Sequence, residues 1–320
     1  MFRNEYLKAC LWIVCLWWVT GGCGLPDEIS APTPTPPQPQ TPEFADPIIN
    51  PFGLTDIGNH AIPFFVDIDA DGDLDFFCGK LNGDIWFAYN LNNAYAPSFG
   101  PYQTNPFGLK NVGSYAAPCF ADLDGDGLLD ALVGNGDGNI LFFKNNGTQT
   151  NPSFASPSTN PFGLQKKGEQ AIPFVVDYEF LSKTSDGDLD IYVGYTTNPN
   201  YLAIYFFINN PDTASEPQFK AWIEIASANG FTENMNLAPA IVDLDQDGRL
   251  ELFFGVESGN IYYNKWDGLS SYELNPFGLS KVSFSAVPRF FDIDTDGDLD
   301  AFIGSGDGNI YFFRNKAVNN

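Results

Sequence analysis

The stretch "DIDADGDLD", residues 67–75, places five carboxylates, Asp67, Asp69, Asp71, Asp73 and Asp75, within nine positions. Carboxylates this close repel one another, and crowding raises their pKa values. A positive charge is therefore expected beside them. The frame is D-x-D-x-D-G-x-x-D. Oxygen ligands at positions 1, 3 and 5, a sharp turn at the Gly, a backbone carbonyl at 7 and a carboxylate at 9 can surround a hard cation. Calcium takes six to eight oxygens at about 2.3–2.6 Å and suits this loop better than magnesium, which prefers a tighter octahedron and keeps more water.

The frame recurs at Asp122/Asp124/Asp126/Asp130, Asp243/Asp245/Asp247/Glu251 and Asp292/Asp294/Asp296/Asp300. Position 7 is Asp73, Leu128, Arg249 or Asp298, a variety that fits a backbone contribution there. The third copy, "DYEFLSKTSDGDLD" (177–190), carries an insertion. Asp186, Asp188 and Asp190 fit positions 5, 7 and 9. Positions 1 and 3 are either Asp177 and Glu179 across a bulge, or Ser182 and Thr184 in unbroken spacing. Turn preference explains one or two Asp per loop, not the same alternation five times. Up to five structural calcium ions are expected, which would cancel ten of the 25 excess negative charges. The first half matches an EF-hand loop. Position 12, however, is Cys78, Val133 or Ile303 where an EF-hand needs Glu, so the loop closes at position 9 and returns as a strand.

These loops sit inside a larger repeat. "NPFGL" begins at Asn50, Asn105, Asn160 and Asn275, with a degenerate "NGF" at Asn229. Each copy leads to Pro63, Pro118, Pro173, Pro239 or Pro288, then the first Asp of a loop, then an apolar run ending in Gly79, Gly134, Gly194, Gly255 or Gly304. The runs "PFFVDI", "LDFFCG" and "DIWFAYN" are short, aromatic and bounded by turn residues, so they read as strands. "NGD", "GDGN" and "ESGN" suit tight hairpins, which makes Asp137 and Asp307 turn formers. A fourth strand falls around "PSFGPYQTNPFGL". Four antiparallel strands per unit of roughly 50 residues describe a propeller blade. "TPEFADPIINPFGL" opens the chain as a lone fourth strand, and the chain ends after a third. An all-β, five-bladed propeller of four-stranded blades follows, its ring closed by the N-terminal strand and no edge left open. The Phe of "NPFGL" is expected to pack between blades.

The units resemble FG-GAP/VCBS-type repeats, the calcium-loop blades of integrin α-chain propellers and of many secreted bacterial proteins. The resemblance spans roughly residues 42–315. It implies a β-propeller with calcium in the loops between first and second strands, bracing the blades.

The totals agree with an extracytoplasmic module. With 15 Lys+Arg against 40 Asp+Glu, the net charge of −25 argues against nucleic acid and anionic membranes as partners. Residues 1–23 read as a signal segment: a basic start (Arg3, Lys8), the apolar run "ACLWIVCLWWV" and a small-residue end "TGGC". That end resembles a bacterial lipobox, with Cys23 as the lipidated residue; plain cleavage and an uncleaved anchor are the alternatives. Residues 24–41, with "APTPTPPQPQTPE", form a semi-rigid Pro-rich tether, and the propeller takes 42–320. Cys78 and Cys119 are read as buried thiols or as one disulfide.

Catalytic signals are sparse. His60 is the single histidine, read as an incidental loop residue, and without a second one no Ser-His-Asp arrangement of the usual kind forms. The expected function is a secreted or membrane-tethered, non-catalytic binding or adhesion module for an extracellular protein or carbohydrate. Tyr195 and Tyr201, in and beside the loop "GYTTNPNYLA", are candidate ligand-facing aromatics. Alternatives are a cell-surface glycosidase using two or three funnel carboxylates, drawn from Asp56, Glu169, Glu216, Glu233, Glu257 and Asp267, or a structural component.

Overall fold

The computed structural model describes residues 41–178, 185, 187–196, 202–209, 217–224, 237–265 and 272–316. The expected signal segment with Cys23, most of the Pro-rich tether, and Glu179, Ser182, Thr184, Asp186 and Tyr201 lie outside them. Blade 1 comprises β2 (Ile62–Val66), β3 (Asp75–Gly79), β4 (Ile85–Ala88) and β5 (Gln103–Thr104). Blade 2 comprises β6 (Ala117–Ala121), β7 (Asp130–Gly134), β8 (Ile140–Phe143) and β9 (Ser158–Thr159). Blade 3 has longer strands, β10 (Glu169–Val176), β11 (Asp190–Thr196), β12 (Leu202–Asn209) and β13 (Phe219–Glu224). Blade 4 holds β14 (Ala238–Val242), β15 (Glu251–Gly255), β16 (Ile261–Asn264) and β17 (Glu273–Leu274). Blade 5 is β18 (Val287–Phe291), β19 (Asp300–Gly304) and β20 (Ile310–Phe313), completed by β1 (Ile48–Ile49) from the other end of the chain. Ile48 pairs with Phe312 and Ile49 with Tyr311. The closing strand is thus the N-terminal one, as the repeat pattern requires.

Why the blades close into a ring is legible in one recurring pair. The first strand of each blade is an inner edge strand, so its Pro, second in four blades and fifth in β10, lacks no ladder bond. The second strand of the preceding blade carries a Gly at or near its end. A Cβ on Gly79 would lie 1.8 Å from the Ala116 carbonyl oxygen and 2.8 Å from the Pro118 ring. The same crowding joins Gly134 to Ala171 and Pro173, Gly194 to Leu237 and Pro239, Gly255 to Ala286 and Pro288, and Gly304 to Ala61 and Pro63. The last pair joins blade 5 to blade 1. The close approach lets Ala116 N–H donate to Lys80 O (3.0 Å), with equivalents at Ala171, Ala286 and Ala61.

The core is correspondingly divided. One apolar cluster fills each of the five gaps between neighbouring blades. A sixth, Ile62, Ala117, Ile172, Ala238 and Val287, takes one residue from each inner strand and seals the axis. Next along these strands stands Arg289, 1% exposed, its guanidinium donating to the Pro239 and Pro288 carbonyls at 2.9 Å. Burial pulls its pKa down to about 10.

The NPFGL rings pack against the clusters between blades, as expected: Phe52, Phe107, Phe162 and Phe277 each join one. Each ring also lies on the third strand of its own blade: Phe107 on Phe87, Phe162 on Phe142, Phe277 on Tyr263 and Phe52 on Phe312. The backbone crosses between blades as well, with Phe52 O accepting Phe99 N–H and Phe107 O accepting Phe154 N–H. The left-handed turn at Asn and Phe (φ near +50° at both) turns the carbonyl outward. Cys78 and Cys119 are free and buried.

Gly134→Ala is expected to lower stability by about 2–3 kcal/mol, the cost of forcing a methyl into packed backbone. Urea denaturation checks it, and an unchanged midpoint would mean the blades do not meet this closely.

Candidate metal centres and the funnel mouth

Each acidic loop follows an inner strand and is shaped by its own first carboxylate. The residue at position 4 (Ala70, Gln246 or Thr295) and the Gly at position 6 take positive φ, which curls the chain around the loop's first Asp. The position-6 amide then donates to that carboxylate: Gly72 to Asp67 (3.1 Å), Gly127 to Asp122 (2.9 Å), Gly248 to Asp243 (3.0 Å) and Gly297 to Asp292 (3.1 Å). Gly187 makes the same bond to Asp177 at 3.3 Å. Asp177 therefore takes position 1 across the insertion of the third loop. The position-7 amides of Asp73, Leu128, Arg249 and Asp298 donate to the carboxylate at position 5.

The ninth position anchors the loop to the blade. One oxygen of Asp75, Asp130, Asp190 and Asp300 accepts the backbone N–H of Asn90, Asn145, Asn209 and Asn315, just past or ending the third strand, at 2.7–2.9 Å. In blade 4 the residue is Glu251, which caps Leu244 N–H instead (3.0 Å). The chain carries Trp266 where the other blades carry Asn. Sequence reading missed these Asn partners. Their signal was visible: Asn90, Asn145 and Asn315 each stand seven residues after the hairpin Gly83, Gly138 or Gly308.

With one oxygen committed, the others turn inward. Ligand oxygens of Asp67/Asp69/Asp71, Asp122/Asp124/Asp126, Asp292/Asp294/Asp296 and Asp243/Asp245/Asp247/Glu251 each gather within 4.8 Å. Glu251, one methylene longer than Asp, reaches the set directly. Asp69 Oδ1, Asp73 Oδ1, Asp75 Oδ2, Asp122 Oδ1, Asp130 Oδ2, Asp243 Oδ1, Asp294 Oδ1, Asp298 Oδ1 and Asp300 Oδ2 are buried with no hydrogen-bond partner. An isolated buried carboxylate oxygen is costly, and a divalent cation seated among these oxygens would satisfy them. The donor set is all oxygen and acidic, the chemistry of a hard cation. The residues present fit calcium.

Without such an ion the ninth-position carboxyls have raised pKa values. Burial pushes Asp75, Glu251 and Asp300 up to about 8, and Asp130 to about 7. Burial, followed by repulsion from the neighbouring carboxylates, raises Asp298 to about 7 and Asp73 to about 6.

The opposite end of each inner strand forms the funnel mouth. Here His60, Tyr115, Gln170 and Ser285 occupy equivalent positions, each two residues before the strand's axial apolar side chain and each left-handed (φ +55°, +47°, +50° and +48°). They line a shallow, solvent-open recess floored by Ile62, Ile172 and Val287. His60 is not exposed, contrary to the sequence reading. The ring is half-buried, edge-on to Tyr115 (5.0 Å) and Phe284 (5.9 Å), and burial lowers its pKa. Tyr195 also departs from expectation: it is 1% exposed, its hydroxyl donating to Gln165 O (3.3 Å), in the core between blades 2 and 3. It offers no face to a ligand, because the longer β11 carries it inside the sheet. No helix among the described residues is long and apolar enough to cross a membrane.

The raised carboxyls set the sign of a pH dependence. Between about pH 4 and 8 the folded, metal-free chain holds more protons than the unfolded one, so its stability falls as pH rises through that window. Melting scans in EDTA should show Tm declining from pH 5 to 8. In millimolar calcium, which requires ionised carboxylates, the decline should vanish, leaving Tm roughly 5 °C above the EDTA value at pH 7.5. Superimposable curves with and without EDTA would refute the metal assignment.

Comparison with known proteins bears on the repeats. No curated protein matches the chain. Solved structures that align with it include an Agrocybe aegerita lectin described for recognition of non-reducing terminal N-acetylglucosamine (16% identity, 89% of this chain and 75% of that one, TM-score 0.42). BBS1N in complex with ARL6DN aligns at 10% identity over 84% of this chain and 96% of that one, TM-score 0.43. The Dos1 propeller aligns at 10% identity over 76% and 75%, TM-score 0.34. The profile of the FG-GAP-like repeat matches residues 67–133, 184–254 and 243–303. These segments begin or end on the acidic loops and together cover more than half of the chain, which belongs to the FG-GAP-like repeat family.

Proposed function

We propose that the chain is a calcium-stabilised, non-catalytic binding propeller held outside the cytoplasm, secreted or tethered through a lipid on Cys23, that engages an extracellular carbohydrate or protein at the funnel mouth. The observation that carries this reading is a division within blades 1, 2, 3 and 5. At one end of the inner strand the acidic loop repeats in chemistry. At the other, the left-handed corner repeats in backbone while its side chain changes from His to Tyr to Gln to Ser. A rigid frame displaying variable side chains is the usual construction of a recognition surface.

The chemistry of the mouth favours a neutral, polar ligand. Aromatic edges from His60, Tyr115 and the 40%-exposed Phe284 stand beside the Gln170 amide and Ser285. Burial keeps His60 uncharged at neutral pH. Such a mixture of aromatic and hydrogen-bonding groups suits a glycan. The metal loops, at the far ends of the same strands, hold the frame. The calcium affinity of extracellular modules, roughly 0.1–1 mM, matches a site outside the cell.

A glycan array and a panel of soluble polysaccharides, probed in 2 mM calcium (about the level such modules need), test the reading. Binding should fall about tenfold or more in Tyr115→Ala or His60→Ala, the loss of one central contact. Cleavage of a polysaccharide, abolished by changing Asp56 or Glu257, would instead make the chain a glycosidase.

A further inference from the structure

The five loops share an acidic frame, but different residues face it. One step beyond the last paired residues of the second and third strands, directly across from the ninth-position carboxylate, stand Tyr89, Lys144, Ile208, Lys265 and Arg314 in blades 1 to 5. In blade 2 the Lys144 ammonium bonds Asp124 and also Asp126 (3.0 Å). In blade 4 Lys265 lies 2.9 Å from Asp245 and 3.8 Å from Asp247. In blade 5 Arg314 bonds Asp294. In blade 1 no basic side chain among the described residues pairs with the loop. There Asp69 Oδ1, Asp73 Oδ1 and Asp75 Oδ2 are buried without a partner, Asp75 being 1% exposed.

We propose that the loops load with divalent cation in two stages: the blade 1 loop first, and the blade 2, 4 and 5 loops only at higher concentration, because each of those three holds its own tethered cation on the same carboxylates that an ion would take. The inference rests on the reading that these loops bind calcium. The third loop, partly outside the described residues, is assigned to neither class. Tethering makes the competition intramolecular, so the entering ion must displace a group that is always present. Displacement is open to the lysines, whose side chains are 41% and 51% exposed and can swing into water. The same tether neutralises part of each acidic cluster in the absence of metal. Blades 2, 4 and 5 are thereby buffered against calcium loss, and blade 1 is the responsive one.

Calorimetric titration of the EDTA-stripped full chain with calcium chloride tests this, read alongside Tm in EDTA. The wild type should show a tight class distinct from a weaker one, and Asp71→Asn should remove the tight class. Lys144→Met should tighten one weak site about two- to fivefold, the worth of a partly exposed ion pair, and lower Tm in EDTA. Lys144→Arg, which keeps the charge, should leave the isotherm as in the wild type. Lys265→Met provides the same test in blade 4 should the blade 2 variant fold poorly. Calcium binding in one class of equal sites, or no tightening in either Met variant, overturns the two-stage inference and leaves the metal reading standing. Absence of calcium binding overturns both.

Discussion

A carboxylate removed from water must meet a proton, a hydrogen-bond donor or a cation. This chain buries the ninth-position carboxylate of each described acidic loop, commits one oxygen to a backbone amide, and turns others toward a common centre. Everything at the acidic end of the blades follows from that demand. The first Asp organises the loop by accepting the Gly amide. The ninth ties the loop to the end of the third strand. What remains is a set of oxygens whose needs the protein alone does not meet, except where a lysine or arginine reaches in.

The ring makes this demand tolerable. Each blade buries two apolar faces against neighbours, and the Gly–Pro contacts hold inner strands close enough for amide-to-carbonyl bonds to cross between blades. A cluster of like charge at the rim would destabilise an isolated sheet. Here it hangs from the ends of strands whose positions are fixed by packing on both sides. The geometry of the loops is therefore set before any cation arrives. That pre-organisation is what would let a weakly bound divalent cation act as a brace.

How much of this was legible follows from what recurs. Asp67 and its equivalents, the Pro of each first strand and the Gly of each second strand repeat at fixed offsets, so strands, blade count, acidic loops and the closing strand could be read directly. The reason for the Gly could not, because the Ala116 oxygen it makes room for lies in the next blade. Phe107 recurs, and its place against the cluster between blades 1 and 2 could be read from that recurrence, whereas its contact with its own blade's Phe87 could not. Tyr195 was misplaced because its loop setting hid the extension of β11, which buries it. The funnel mouth was hardest to see. His60, Tyr115, Gln170 and Ser285 share a backbone conformation and not a residue type, so no sequence pattern marks them as one set.

The same contrast separates stability from recognition. A position whose residue type repeats around the ring answers a demand that every blade makes, such as neutralising charge or allowing close approach. A position whose backbone repeats while its side chain varies answers a demand from outside the blade. The residues across from the ninth carboxylate fall between these cases. Lys144, Lys265 and Arg314 repeat a charge, whereas Tyr89 and Ile208 withhold it. Partial repetition is what a graded response requires: blades alike enough to share one ring, and different enough at one site that the same ion does not affect them equally.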